Sequence, residues 1–155
     1  LKSTFGWGFG NNGTDDFNFT QLLSGDRASS GFFQLLSTSI WSNTVDGSSR
    51  PYIKVFTTGD ILIESSISKE YGYYIAMIVD SASEFAVDGD KYTDLDGNIY
   101  DVVQIGTQFW LAQRWACTKY ADGSSIPEIT DNTNWSLDTT GAYCDYGNDE
   151  SYVYK

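Results

Sequence analysis

From Ile99 to Ala112 the chain reads Ile-Tyr-Asp-Val-Val-Gln-Ile-Gly-Thr-Gln-Phe-Trp-Leu-Ala, and this stretch more than any other restricts the folds open to it. Successive side chains of a strand point to opposite faces. Ile99, Asp101, Val103 and Ile105 therefore share one face, and Tyr100, Val102 and Gln104 the other. Gly106-Thr107 can turn the chain back into Gln108–Ala112, which predicts a hairpin. Tyr52–Thr57 and Ile61–Ser65, joined through Thr58, Gly59 and Asp60, read as a second hairpin. Residues 71–80 read as a further buried strand, and a short strand is expected around Ala142–Cys144. Helical signals are weak: a turn near Gln21–Leu23 and another in Thr-Asn-Trp-Ser-Leu-Asp at 133–138. No long amphipathic helix is predicted.

With 155 residues, 41% of them apolar, the chain is long enough to bury the core of one ordinary domain. Nine Lys and Arg against 21 Asp and Glu give a formal net charge of −12, which repels phosphate backbones and anionic lipid. Nucleic acid is therefore not expected as a partner. No run of eighteen or so apolar residues exists, so membrane insertion is not expected either. The N-terminal stretch lacks the order of a signal peptide, and any export signal is expected to lie outside this sequence.

Histidine is absent, which removes the usual general base near neutral pH and the commonest transition-metal ligand. Serine-rich stretches have no recognisable base beside them. Asp145, Asp149 and Glu150 cluster near the C-terminus, but their spacing does not establish a glycosidase pair. The expectation is a protein that is not an enzyme and needs no cofactor.

Asp94, Asp96 and Asn98 alternate around Gly97 as the start of a calcium loop does. The next residues, Ile99-Tyr100-Asp101-Val102, have a strand pattern, and the terminal bidentate Glu is missing. Asp-Gly and Gly-Asn are also favoured turn dipeptides. The turn is the expectation, and a loose cation site at Asp94, Asp96 and Asn98 is the alternative. Asp122-Gly123-Ser124-Ser125 repeats Asp46-Gly47-Ser48-Ser49 without matching flanks, which reads as shared turn chemistry. Asn12, Asn18 and Asn134 begin Asn-x-Ser/Thr triplets of the kind glycosylated in some compartments. Cys117 and Cys144 lack CxxC spacing and fit either one disulfide or two packed thiols.

Aromatic residues make up 16% of the chain and are interspersed with Ser, Thr, Asn and Gly, a mixture that adaptable binding surfaces use. Trp41, Tyr52 and Phe56, with Gln34, Asn43, Arg50 and Lys54 between or beside them, form the candidate ligand-binding set.

The order Asp-Gly-Asn-x-Tyr, Ile-Gly-x-Gln-x-Trp, Tyr-x-Asp-Gly and Thr-Gly-Ala-Tyr-Cys, running from Asp94 to Tyr146, resembles the opening half of the Fibrobacter succinogenes major paralogous domain. That family is abundant in Bacteroidetes and is similar to the C-type-lectin fold. Phe19, Leu22, Gly25 and Arg27, then Gly31 with Phe32 and Phe33, then Trp41–Thr44, then Tyr71–Asp80 resemble the closing half of the same family. The halves stand in reversed order, and the family's helical middle portion is missing. Residues 1–80 are thus read as a closing half, 81–93 as a linker and 94–155 as an opening half. Gln113, Arg114 and Trp115 replace the family's usual acidic residue, Asn and Leu. Ala76 and Met77 stand where Arg and Cys are common, so that if Cys144 forms a disulfide at all, the resemblance implies Cys117 as its partner.

The resemblance implies an α+β, predominantly β, C-type-lectin-like fold of short strands, hairpins and long loops. It further implies a non-catalytic extracellular binding or adhesion module on a bacterial cell surface or phage virion, with a protein or glycan ligand. The reversed order fits a chain that straddles two tandem copies, a rearranged domain, or neighbouring chains that exchange halves, and the last suggests an alternative: a structural subunit of a surface filament or phage appendage, a homo-oligomer assembled by that exchange. A glycan-active enzyme is the second alternative.

Overall fold

The computed structural model describes residues 4, 12–16, 18–19, 24–35, 37–45, 51–57, 62–79 and 89–149. Its strands are β1 (Asp26–Arg27), β2 (Phe33–Gln34), β3 (Ser37–Val45), β4 (Pro51–Thr57), β5 (Leu62–Ser66), β6 (Tyr74–Ile75), β7 (Ile78–Val79), β8 (Lys91–Thr93), β9 (Ile99–Ile105) and β10 (Gln108–Leu111). One helix, α1 (Asn132–Leu137), and a single 3-10 turn, Tyr146–Asn148, complete the described elements. The fold is predominantly β and its sheets are antiparallel. Among the described residues no helix is long and apolar enough to cross a membrane.

The chain forms two compact units, Leu1–Leu22 with Ile75–Cys117, and Leu23–Tyr74 with Thr118–Lys155. Each unit draws on both of the halves read from the sequence.

In the first unit the sheet runs β7-β10-β9-β8. The predicted hairpin is present: Ile105 lies opposite Gln108 and Val102 opposite Leu111. Gly106 has φ +64 with open space where a Cβ would stand, so the turn needs glycine for conformation rather than for room. Tyr100, Val102 and Leu111 are buried together, with Met77, Val79, Tyr92, Phe109 and Trp115 packed on them. Ile99 at the start of β9 is 66% exposed, so alternation correctly separates the two faces and the even-numbered one carries the core. The other face is covered at its centre, where Phe19 meets Trp110 edge-on at 5.8 Å.

Residues 81–88 lie outside the described residues, but 89–93 are not linker. Gly89 N–H donates to Val102 O at 2.9 Å, Val102 N–H donates to Asp90 O at 2.8 Å, and β8 pairs with β9. The strand expected over 71–80 is broken into β6 and β7, because the stretch serves two sheets, β6 beside β3 and β7 beside β10. Between them Met77 O accepts from Leu111 N–H at 3.0 Å.

In the second unit the sheet runs β5-β4-β3-β6, and β4 pairs with β5 as the second predicted hairpin. The turn signal at 133–138 becomes α1, capped by the Asp131 carboxylate, which accepts from Asn134 N–H at 2.8 Å. Ala142–Cys144 contributes one parallel bridge, Tyr143 to Glu128, rather than a strand.

Arg27 holds this unit together. It is 2% exposed, and it donates from Nε to Gly31 O, from Nη1 to Ile129 O, and from Nη2 to Thr130 O and Asn132 Oδ1. Its guanidinium lies 4.9 Å from the Phe33 ring centroid and 4.3 Å from that of Trp135. A planar cation with a fork of donors suits a pocket of carbonyls and ring faces. Gly25, two residues earlier, has φ +68, and a Cβ there would stand 2.2 Å from Gln34 O. Gly-x-Arg is therefore a packing signature.

Candidate functional site

Six of the seven residues expected to bind ligand fall on β2, β3 and β4. Gln34 is exposed on β2, where it pairs with Asp26. Asn43 is exposed on β3, beyond Trp41 and within a register shift. Tyr52, Lys54 and Phe56 occupy alternate positions of β4, with Lys54 opposite Ile40 and Phe56 opposite Thr38. Trp41 stands opposite Ile53, one step out of phase with those three. Arg50 lies outside the described residues.

Trp41 instead forms an aromatic ledge with two residues expected from the sequence to belong to a strand. Its ring meets Tyr73 edge-on with centroids 4.8 Å apart, and Tyr73 stacks on Tyr71 at 5.7 Å with an interplanar angle of 19°. All three are half-buried. The available signal was the spacing Tyr71-Gly-Tyr73: in extended chain, residues two apart share a face, and the glycine between them crowds nothing on the ledge. Gly72 itself exchanges two backbone hydrogen bonds with Arg27, at 2.8 and 2.9 Å. The buried arginine thus fixes the backbone that presents the ledge.

Asp26 supplies the electrostatics. Burial raises its carboxyl above the ordinary value, and the hydrogen bond from Ser39 opposes that rise. Its Oδ1 is buried and has no hydrogen-bond partner among the described residues. The Tyr73 phenol is pushed up by burial and then by the negative charge of Asp26, so it stays protonated at neutral pH. The ledge is therefore a cluster of three rings, with a phenol that can donate and a carboxylate whose charge reaches Tyr73.

The cation-site alternative at Asp94, Asp96 and Asn98 meets a different geometry. Asp94 Oδ1 accepts from Asp96 N–H and Asn98 N–H, both at 2.9 Å. Oδ2 accepts from Asn98 Nδ2 at 2.9 Å and from Tyr100 Oη at 2.7 Å. Four donors on one carboxylate make it the staple of the β8–β9 turn, and a cation would have to displace them. Among the described residues no group of three or more metal-ligating side chains is present. Burial pushes Asp94 up, but the bonds from Asn98, Tyr100 and the backbone outweigh it and hold the carboxyl below its usual value.

The disulfide expected between Cys117 and Cys144 is not formed, and both residues are thiols. They belong to different units. Burial raises the Cys144 thiol, with Arg27 pulling the other way. Asp145 and Asp149 bracket the 3-10 turn, and Glu150 lies outside the described residues. Asn12, Asn18 and Asn134 are exposed.

Gln113 and Trp115 are built into the first unit. Gln113 clasps Asp101 through a 2.6 Å side-chain bond and accepts from Asp101 N–H at 2.7 Å. Trp115 stacks on Tyr100 at 5.4 Å. No family model, curated protein or solved structure matches the chain.

Proposed function

We propose that the chain is a non-catalytic extracellular binding module that contacts a protein or glycan partner through an aromatic and polar surface on a C-type-lectin-like scaffold. The observation that carries this reading is the Trp41-Tyr73-Tyr71 ledge, since clustered half-exposed Trp and Tyr provide contact area at low entropic cost. A fold does not by itself confer a function, so the ledge rather than the scaffold supports the reading. The chain's lack of histidine and the use of Asp94 and Asp101 as structural acceptors fit binding without turnover.

The resemblance to reversed halves of one family domain is best read as a rearranged domain within one chain. Arg27, from the closing half, donates to Ile129 O and Thr130 O of the opening half, a contact that a rearranged domain would make. The test is binding to an array of defined oligosaccharides and purified surface proteins. Tyr71→Ala and Trp41→Ala should each weaken the captured ligand by about tenfold or more, with near-UV circular dichroism of the rest of the chain retained. Unchanged affinity in both variants would remove the ledge from the function.

A further inference from the structure

The ledge also carries an indication of what it recognises, an inference that rests on the binding-module reading above. Aromatic faces are electron-rich and attract cations, most strongly when the site is partly desolvated. Here Tyr71 and Tyr73 lie nearly parallel and Trp41 closes one side. Asp26 places a carboxylate near Tyr73, with Oδ1 lacking a hydrogen-bond partner among the described residues. A half-buried carboxylate with an unused oxygen is a poor arrangement for stability alone. The adjacent cation in the chain, Arg27, directs its donors to Gly31, Ile129, Thr130 and Asn132 and does not neutralise it. Glu70 beside Tyr71 is exposed, and the chain as a whole carries −12, so the surrounding field favours an incoming positive group.

We propose that the Trp41-Tyr73-Tyr71 ledge receives an arginine side chain of a partner protein, its guanidinium held against the ring cluster in the field of the Asp26 carboxylate. Because Oδ1 is buried, Asp26 acts through its field rather than by direct pairing. A flat guanidinium matches a stacked pair of rings better than a compact, strongly hydrated ammonium does. A choline head group would bring its own phosphate into a strongly acidic field, which argues against a lipid.

The test uses the full chain and follows the ring resonances of Trp41, Tyr71 and Tyr73 during titration with N-acetyl-arginine amide and its neutral isostere N-acetyl-citrulline amide. Arginine should shift these signals and citrulline should bind about tenfold or more weakly. Tyr71→Ala should abolish the shifts, and Asp26→Asn should bring arginine close to citrulline. Equal binding of the two probes would overturn the proposal. So would arginine binding that is unchanged in Asp26→Asn with an unaltered near-UV spectrum, or binding to phosphatidylcholine vesicles without binding to arginine. A neutral glucan that shifts the same rings while arginine does not would overturn the arginine inference and leave the binding module standing. Silence from every probe, with no ligand found on the array, would remove both.

Discussion

Two carboxylates of opposite character show how the same residue type serves different ends. Asp94 is 8% exposed and accepts four donors, so its folded pKa lies below the ordinary value. A carboxyl depressed in the folded state stabilises above the unfolded pKa and loses that contribution as pH falls through the folded value. Asp94→Ala should lower unfolding stability by about 2 kcal/mol or more, and the difference from the parent should shrink in denaturant titrations carried well below about pH 4. Asp26 is the reverse case, because burial raises its carboxyl. Its charged form costs stability above the raised folded pKa, and the cost fades as pH falls through it. Asp26→Asn should therefore melt at the same temperature as the parent or higher at pH 7, with any gain disappearing in acid. A clear loss of melting temperature at pH 7 would mean that Asp26 is a structural acceptor.

At the scale of elements, local sequence and distant packing divide the work. The β9–β10 and β4–β5 hairpins were legible because alternation and turn chemistry operate over a few residues. The break between β6 and β7 was not, because it arises from partners distant in the chain: Ile78 pairs with Trp110, Val79 with Phe109, and Met77 O accepts from Leu111 N–H. Arg27 is the clearest case of an element held from afar. It joins β1 to the Ile129 and Thr130 carbonyls, to the Asn132 side chain and to the Trp135 ring of α1, and α1 has only six residues and no buried side chain, too few to persist alone. Arg27→Lys keeps the charge but loses the fork and the flat faces. It should cost about 3 kcal/mol or more, measured by chemical denaturation, with the near-UV signal of Trp135 lost before the signals of the first unit.

For the whole molecule, each compact unit joins residues of both sequence halves, and Arg27 and its acceptors fall in the same unit. Light scattering after size exclusion should give a monomer close to 17.2 kDa at micromolar concentration. Filaments or a concentration-dependent series of oligomers would revive the exchange of halves. The amino-acid sequence alone determined that the chain is predominantly β, which strands pair in its two main hairpins, and that Asp94, Gly97 and Asn98 make a turn, since alternation, glycine conformation and short-range capping are properties of neighbours in the chain. Only the tertiary structure decided that Gly25 and Arg27 are packing residues, that 89–93 joins a sheet, and that Trp41 meets Tyr73 and, through it, Tyr71. Those outcomes depend on strand register and on contacts between residues far apart in the chain, where shifting one strand by a single residue exchanges the faces on which every side chain appears.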